Sequence, residues 1–302
     1  MRIFMTGGKG FVGSMLTETF CRKGHDVTVL TRTVRPDTQT KEGVTLIEGD
    51  PTRPGPWQEK VAGHDVIVNL AGEPVFKRWS KAAKERIRSS RIETTRNLVD
   101  ALPDASEEVS LLSTSAVGYY GFRGDDRLDE TNSPGDDFLA SVCTAWEAAA
   151  KEAEKKGARV VICRFGIVLG QGGGALEKMV PIFKKGMGSP LGNGKQWVSW
   201  IHEQDLAGIF VFLLENPGIS GPVNCTAPNP VTNKEMTRIL GDVLNRPTAM
   251  PAVPAFVVRA LMGESSSLYL NGQKVLPKNL LEAGFSFRFT ELESALRDLN
   301  IR

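Results

Sequence analysis

The sequence has few of the residues that mark metal-binding and disulfide-rich proteins. Only four cysteines and three histidines occur among its 302 residues. The cysteines stand far apart, at positions 21, 143, 163 and 225, and form no C-x-x-C pair, and the histidines are scattered. This pattern excludes a cysteine–histidine metal cluster and predicts reduced thiols in a cytoplasmic protein.

A charge excess and a long hydrophobic run are also missing. The 37 basic and 35 acidic residues leave a net charge of +2, so nothing indicates a nucleic-acid partner or an anionic membrane partner. Apolar runs are of strand length or are broken by glycine and charge, which excludes a transmembrane helix. The first residues, MRIFMTGG, lack the longer apolar stretch of a secretory signal.

The chain does have short apolar runs in regular alternation with segments of helical periodicity. Hydrophobic residues make up 41% of the sequence, enough for a sizeable core. Because the apolar runs lack polar alternation, they predict parallel strands buried on both faces. We therefore predict a doubly wound α/β fold of the Rossmann type, with strands at 2–5, 26–32, 44–50, 65–72, 109–115 and 159–166 and helices at 11–24, 80–102 and 138–157.

The texture of the sequence changes after Gly166. Glycine-rich residues 170–196 contain one amphipathic helix, and a strand (197–202), a helix (203–216) and a returning edge strand (221–227) follow. Later helical pieces build a smaller unit. We expect residues 1–169 and 203–227 to form the Rossmann domain, and residues 170–202 and 228–302 to form a mostly helical substrate-side domain.

A glycine-rich segment, TGGKGFVG, links the first predicted strand to the first helix. Gly7, Gly10 and Gly13 permit a tight turn and a close approach of the backbone to a pyrophosphate. Phe11 and Val12 open the helix, whose free N–H groups favour an anion. The segment predicts dinucleotide binding, with a purely structural turn as the alternative.

The end of the second predicted strand indicates the type of dinucleotide. An acidic residue there would bind the ribose 2′-hydroxyl of NAD, but the chain has Thr31-Arg32-Thr33. A guanidinium suits the 2′-phosphate of NADP, so NADP is favoured over NAD, and a solvated charge is the alternative for Arg32. We also expect Asp50 to accept from the adenine amino group and Leu70-Ala71-Gly72 to pass beside the adenosine ribose and phosphates.

Two sets of motifs carry a family resemblance. Five motifs resemble those of the extended short-chain dehydrogenase/reductases: TGGKGFVG (6–13), NLAG (69–72), STSAVGYYG (113–121), RFGIVLG (164–170) and WIHEQDLA (200–207). The chain more closely resembles an atypical, epimerase-like subgroup, the NAD-dependent epimerase/dehydratase family with a C-terminal domain of unknown function. The segments that carry this resemblance are AGEP (71–74), SRIETT (90–95), WEAAA (146–150), LGQGGGAL (169–176) and residues 250–299. The resemblance implies an NADP-binding Rossmann fold, a small-molecule substrate and a homodimer.

The resemblance also assigns the chemistry and shows a gap in it. In the superfamily, a serine after the fifth strand and a Tyr-x-x-x-Lys pair on the next helix carry out proton transfer. Ser115 matches the serine, but Leu139 and Cys143 stand in place of tyrosine and lysine. Tyr119 is then the candidate proton carrier, although a tyrosine without a cationic neighbour would titrate too high. Tyr120 is interpreted as packing.

Further cleft residues follow from the same resemblance. Arg91 is placed beside the cofactor, as a phosphate contact or as a solvated helix charge. Arg164 and Gly166 are expected to pass the nicotinamide carboxamide with backbone groups, and Ser113 is a further cofactor-binding candidate. An apolar substrate pocket is predicted from Trp79, Phe138, Trp200 and His202, and a structural role is favoured over proton transfer for His202.

Two hypotheses remain open at this point. The first is an NADP-dependent oxidoreductase or epimerase-like enzyme that transfers hydride to or from a carbinol carbon. The second is a catalytically silent NADP-binding sensor or regulatory protein, and it is favoured by the missing Tyr-x-x-x-Lys pair.

Overall fold

A computed structural model describes residues 1–35, 40–106 and 108–301. Its strands are β1 (Arg2–Thr6), β2 (Asp26–Thr31), β3 (Val44–Glu48), β4 (Val66–Asn69), β5 (Ser110–Ala116), β6 (Arg127–Leu128), β7 (Arg159–Phe165), β8 (Ile167–Leu169), β9 (Trp197–Val198), β10 (Trp200–His202), β11 (Gly221–Cys225), β12 (Val231–Thr232) and β13 (Lys274–Val275). Its α-helices are α1 (Phe11–Arg22), α2 (Lys81–Asp100), α3 (Phe138–Lys151), α4 (Gly174–Lys184), α5 (Glu203–Glu215), α6 (Asn233–Leu244), α7 (Ala255–Met262), α8 (Ser267–Leu270), α9 (Lys278–Glu282) and α10 (Leu292–Asp298).

Seven strands form one parallel sheet in the order β11-β7-β5-β4-β1-β2-β3. The chain runs outward from β1 to β3 and then returns to β4 on the other side of β1. This reversal opens a crevice at the carboxyl ends of β1 and β4, where doubly wound folds bind their ligands. The predicted fold class is therefore confirmed.

Both faces of the sheet are buried, as the continuous apolar strands require. In β1, Ile3 and Met5 face a cluster with Leu16 of α1 and Phe210 of α5, while Phe4 faces the opposite cluster with α2 residues. A third cluster joins Leu169, β10 and the helices α6 and α10. The predicted assignment of chain segments to two domains stays a prediction.

The predicted strand at 197–202 is divided into two short strands. β9 pairs antiparallel with β12, whereas β10 pairs parallel with β8. Ser199 lies between them, donates a hydrogen bond to Gln273 O (2.7 Å) and accepts one from Val275 N (3.0 Å). Since this residue turns to bind the C-terminal segment, a single straight strand cannot form.

The C-terminal segment is tied to the sheet through a buried carboxylate. Glu130 accepts hydrogen bonds from Asn224 N of β11 (2.8 Å) and from Asn279 N of α9 (3.3 Å). β13 pairs with β6 in the same region. Among the described residues, no helix has the length and apolar character needed to cross a membrane.

Candidate functional site

The glycine-rich turn closes tightly on itself at the end of β1. Gly10 N donates to Gly7 O at 2.9 Å, and Gly7 has φ +72°, which favours glycine. A Cβ on Gly13 would lie 2.2 Å from Gly7 O, so only glycine fits there. No side chain caps the helix at Gly10, so the first N–H groups of α1, from Phe11 and Val12 onward, face the crevice without a side-chain cap. The turn fits an anionic diphosphate.

Two basic side chains lie at the end of β2. Arg32 is exposed, and Lys9 of the glycine turn donates to Thr33 O at 3.4 Å. The sequence analysis did not single out Lys9; the available signal was a basic residue inside the glycine turn. The two cations create a positive region suited to a phosphate on the adenosine ribose.

Asp50 follows β3 and is held by a local turn. It accepts hydrogen bonds from Thr52 N (3.0 Å) and Thr52 Oγ1 (2.7 Å). Burial acts to raise the pKa of this carboxyl, but the Thr52 bonds and the charges of Arg53 and Arg32 outweigh it, so the pKa lies below its ordinary value. Asp50 is thus ionised and beside Arg32, and its contact with adenine stays a prediction.

The turn Leu70-Ala71-Gly72 is fixed from below by Asn69. Thr6 Oγ1 donates to Asn69 Oδ1 at 2.8 Å, and Asn69 Nδ2 donates to Thr95 Oγ1 at 2.8 Å. Asn69 Nδ2 also lies 3.4 Å from Ser113 Oγ. These bonds join β1, β4, β5 and α2, and they place Ser113 beneath the crevice, with its side chain buried.

A buried chain of polar side chains lies at the end of β5. Ser115 Oγ donates to Glu147 Oε1 at 2.7 Å. Arg164 donates from Nε and Nη2 to the two oxygens of Glu147, each at 2.8 Å. Arg164 Nη1 donates to Tyr120 Oη (2.9 Å), which donates to Asn224 Oδ1 (2.7 Å). One network therefore joins β5, α3, β7 and β11.

The side chain of Arg164, to which the sequence analysis gave no role, lies in a buried ion pair. Burial acts to lower the pKa of this guanidinium, but the hydrogen bonds and charge of Glu147 outweigh burial, so the pKa lies above its ordinary value. Arg164 is a buried cation held by a carboxylate, so its side chain is not available to a ligand. The proposed backbone contacts of Arg164 and Gly166 with nicotinamide stay predictions.

The two tyrosines after β5 have different surroundings. Tyr120 is fully buried, as the packing interpretation expected, and burial raises its pKa to about 12. Tyr119 is partly buried, and the guanidinium carbon of Arg164 lies 3.5 Å from its ring centroid. Tyr119 therefore has a cationic neighbour, which the sequence analysis named as a requirement for proton transfer. Its hydroxyl makes no hydrogen bond to any part of the chain that the structure describes.

Helix α3 presents no acid–base pair at the superfamily positions. Leu139 packs near Gly118, and Cys143 is buried beside Ser115. Burial, and next the charge of Glu147, raise the pKa of the Cys143 thiol to about 11, so the thiol is neutral at pH 7. Neither residue can take or give a proton in place of tyrosine and lysine.

Arg91 lies closer to the strand ends than a solvated helix charge would. Its Nη1 donates to Glu73 O and Ile87 O, each at 3.0 Å, and its guanidinium carbon lies 5.2 Å from the Trp146 ring centroid. A Cβ on Gly72 would approach the guanidinium carbon to 3.0 Å. Arg91 thus lies against the turn after β4.

The predicted apolar pocket is only partly present. Trp79 and Phe138 pack edge to face, with ring centroids 5.1 Å apart, at the start of α3. Trp200 is fully buried in the third cluster, so its prediction as pocket lining is wrong. His202 is fully buried against Phe289, which agrees with the structural role that was favoured for it. The short strand β10 directs both side chains into the core of the C-terminal region.

Sequence reasoning missed Glu147, which organises the site. Glu147 lies 32 residues after Ser115 and 17 before Arg164, so no local motif connects the three. The signals were a lone carboxylate on the apolar face of α3 and an arginine, Arg164, near the end of the apolar strand β7. A buried charge of one sign predicts a buried partner of the other.

Comparisons with known proteins agree with this geometry. The NAD dependent epimerase/dehydratase family model matches residues 3–225, and that of the domain of unknown function DUF1731 matches residues 253–299. The chain is 41% identical over 303 residues to the epimerase family protein SDR39U1 homolog, chloroplastic, of Arabidopsis thaliana, covering 98% of this chain and 86% of the relative. It is 40% identical over 301 residues to the epimerase family protein YfhF of Bacillus subtilis (strain 168), covering 99% and 98%.

Solved structures give the same result. The human epimerase family protein SDR39U1 (isoform 2), crystallised with NADPH, superposes with a TM-score of 0.86 at 35% identity, covering 99% of both chains. MoeE5 in complex with UDP-glucose and NAD, at 18% identity and a TM-score of 0.79, shows the fold alone. The chain belongs to the NAD dependent epimerase/dehydratase family and carries, after it, the domain of unknown function DUF1731.

Proposed function

We propose that the protein is an NADP-dependent oxidoreductase or epimerase-like enzyme that acts on a small carbonyl, alcohol or sugar-like substrate. The observation that carries the proposal is the uncapped glycine turn at the strand reversal, with Lys9 and Arg32 at its adenosine side. The human relative crystallised with NADPH supports the same cofactor. When bound, the nicotinamide supplies hydride transfer.

The protein's part in this proposal is proton handling beside the nicotinamide. Ser115 gives its only proton to Glu147, so towards a substrate it is a hydrogen-bond acceptor. Tyr119 carries a hydroxyl without a protein partner in the described residues and has Arg164 against its ring. Ser115 would orient a substrate hydroxyl, and Tyr119 would exchange the proton.

Turnover with a substrate panel tests the proposal. The protein is mixed with NADPH and a series of carbonyl compounds, and oxidation is followed by absorbance; nucleotide sugars are examined by NMR for epimerisation. We expect turnover of at least one compound, with loss of about 100-fold or more in Ser115→Ala or Tyr119→Phe, the scale of a lost acid–base group. Tight NADPH binding with no turnover over the panel would contradict it.

A second candidate is a catalytically silent NADP-binding sensor or regulatory protein. The observation favouring it is that the superfamily's acid–base positions hold Leu139 and Cys143, while Ser115 is committed to a buried network. The panel separates the two, because a sensor binds the nucleotide without consuming it.

Location and assembly complete the proposal. A cytoplasmic location agrees with four cysteines that are all free thiols. A homodimer through helices that follow β4 and β5 is the assembly that the family resemblance implies, and light scattering of the purified protein would test it.

A further inference from the structure

Arg91 is a cation without a carboxylate partner in the described parts of the chain. Both hydrogen bonds of its guanidinium leave from Nη1 and end on backbone carbonyls of Glu73 and Ile87. The carboxylate of Glu73 is instead paired with Lys77 and Arg86. Burial lowers the pKa of Arg91, yet arginine remains charged. Such a group gains stability when a ligand offers it oxygen atoms.

The free edge of this guanidinium lies at the crevice. Nη2 would be 3.1 Å from a Cβ on Gly72, in the turn after β4, and neither Nε nor Nη2 bonds to a residue that the structure describes. Trp146 closes the inner side, with its ring centroid 5.2 Å from the guanidinium carbon. The remaining donors are therefore positioned beside the turn that a dinucleotide must pass.

The position of Arg91 along the sheet indicates which half of the dinucleotide its side chain would contact. The diphosphate belongs at the glycine turn after β1, and the adenosine half extends toward β2 and β3, where Arg32 lies. Gly72 follows β4, on the opposite side of the turn, and the charge of Arg91 acts on Cys143 of α3 beyond it. Arg91 thus lies on the nicotinamide side.

A cation is missing from the neighbouring helix at this point. Cys143 is neutral and small, so α3 offers no positive charge where the superfamily pattern has lysine. The positive charge that acts on Cys143 comes from Arg91 of α2. The N–H groups of the guanidinium edge are donors, and the two adjacent hydroxyl oxygens of a ribose can each accept a hydrogen bond.

We propose that Arg91 binds the vicinal hydroxyls of the nicotinamide ribose and supplies, from α2, the positive charge that α3 lacks. The assignment rests on the proposed NADP function. It replaces two earlier expectations, the phosphate contact of Arg91 and the passage of Gly72 beside the adenosine ribose, because Arg91 contacts Gly72 after β4, and β4 lies on the other side of β1 from β2 and β3.

Two nucleotides that differ in the second ribose test the assignment by calorimetry. 2′-Phospho-ADP carries the adenosine, its 2′-phosphate and the diphosphate, whereas NADPH adds the second ribose and the nicotinamide. We expect Arg91→Gln to weaken NADPH binding by about tenfold or more and to leave 2′-phospho-ADP within about twofold, as the loss of charge-assisted bonds predicts. Arg88→Gln, an exposed arginine on the same helix, is the matched control and should change neither.

Other outcomes overturn the assignment in distinct ways. An equal loss for both nucleotides would place Arg91 on the diphosphate, and no loss for either would make it structural. Wild-type protein that binds neither nucleotide would sink the proposed function itself. If Arg91→Gln does not fold, the side-chain Nε signal of Arg91, assigned with Arg91→Lys, should shift in wild-type NMR spectra with NADPH and not with 2′-phospho-ADP; a shift with both contradicts the assignment.

Discussion

The carboxylate of Glu147 determines what Ser115 can do. It accepts from Ser115 and takes two hydrogen bonds from Arg164, all within a region that excludes water. A serine whose proton is held in this way cannot also donate to a substrate carbonyl. If Ser115 contacts the substrate as proposed, the site would favour a substrate group that brings its own proton, such as a hydroxyl.

Loss of the Glu147 charge should be strongly destabilising. Glu147→Gln leaves the buried Arg164 cation without an anion, and we expect a cost of about 3–5 kcal/mol in the free energy of unfolding, measured by urea denaturation. The exposed Glu154→Gln on the same chain segment is the control and should stay within about 0.5 kcal/mol. A loss for Glu147→Gln no larger than for the control would show that the pair contributes no stability.

Arg32 should select between the two nicotinamide cofactors. Arg32→Ala removes the cation nearest to the expected 2′-phosphate, so NADPH binding should weaken by about 1–3 kcal/mol while NADH binding barely changes. Isothermal calorimetry measures both, and Arg22→Ala, at the far end of α1, is the control. An equal loss for both cofactors would mean that Arg32 is not the selector.

The turn positions of Gly7 and Gly13 were predicted correctly because a local motif constrains them, whereas their contact with a dinucleotide stays a prediction. Gly7 and Gly13 could be assigned because a turn between strand and helix allows few residue types. Arg164 was placed at the correct strand end, but its ion pair depends on packing between α3 and β7. A contact across the sheet leaves no trace in local spacing, so side-chain roles of this kind need the structure.

At the scale of elements, helix α5 begins with an unusual cap. His202 Nδ1 accepts a hydrogen bond from Gln204 N at 3.1 Å, and the fully buried ring stacks on Phe289. Nε2 lies 3.5 Å from Asp298 Oδ2 of α10. Burial lowers the pKa of His202 to about 4, partly opposed by Asp298 and assisted by Arg288. The cap requires a neutral imidazole.

This cap should make stability fall in mild acid. Above about pH 6.5 the histidine is neutral in both the folded and unfolded states; between there and pH 4 only the unfolded state binds the proton. We expect a loss of about 2 kcal/mol between pH 7.5 and pH 5 from this group alone, measured by denaturation. In His202→Asn, whose amide can still cap α5, the loss should be smaller by that amount; an unchanged pH slope would contradict the assignment.

The elements themselves were largely predictable. The seven strands of the sheet could be predicted from buried apolar runs, because a strand in a parallel sheet is covered on both faces and so must be apolar along its length. Where the prediction was wrong, at 197–202, the hydroxyl of Ser199 binds the segment around Val275 and interrupts the strand. A tertiary contact over about 75 residues overrides the local pattern there.

At the scale of the whole molecule, Glu130 joins the C-terminal region to the sheet. Glu130→Ala removes acceptors from Asn224 N and Asn279 N, and burial leaves little water to replace them. We expect a loss of about 2–4 kcal/mol in stability and faster hydrogen exchange at both amides. The exposed Glu282→Ala of α9 is the control. Faster exchange at neither amide would show that the two regions hold together without this carboxylate.

The ion pair of Glu147 and Arg164 also constrains how relatives of this protein can diverge. A change at either position alone leaves a buried charge, while a joint change to apolar residues of similar volume does not. In an alignment of homologues, positions 147 and 164 should therefore covary as a pair. Relatives in which apolar residues replace both Glu147 and Arg164 should retain the fold. In these relatives the hydroxyl proton of the serine at position 115 is no longer donated to a glutamate.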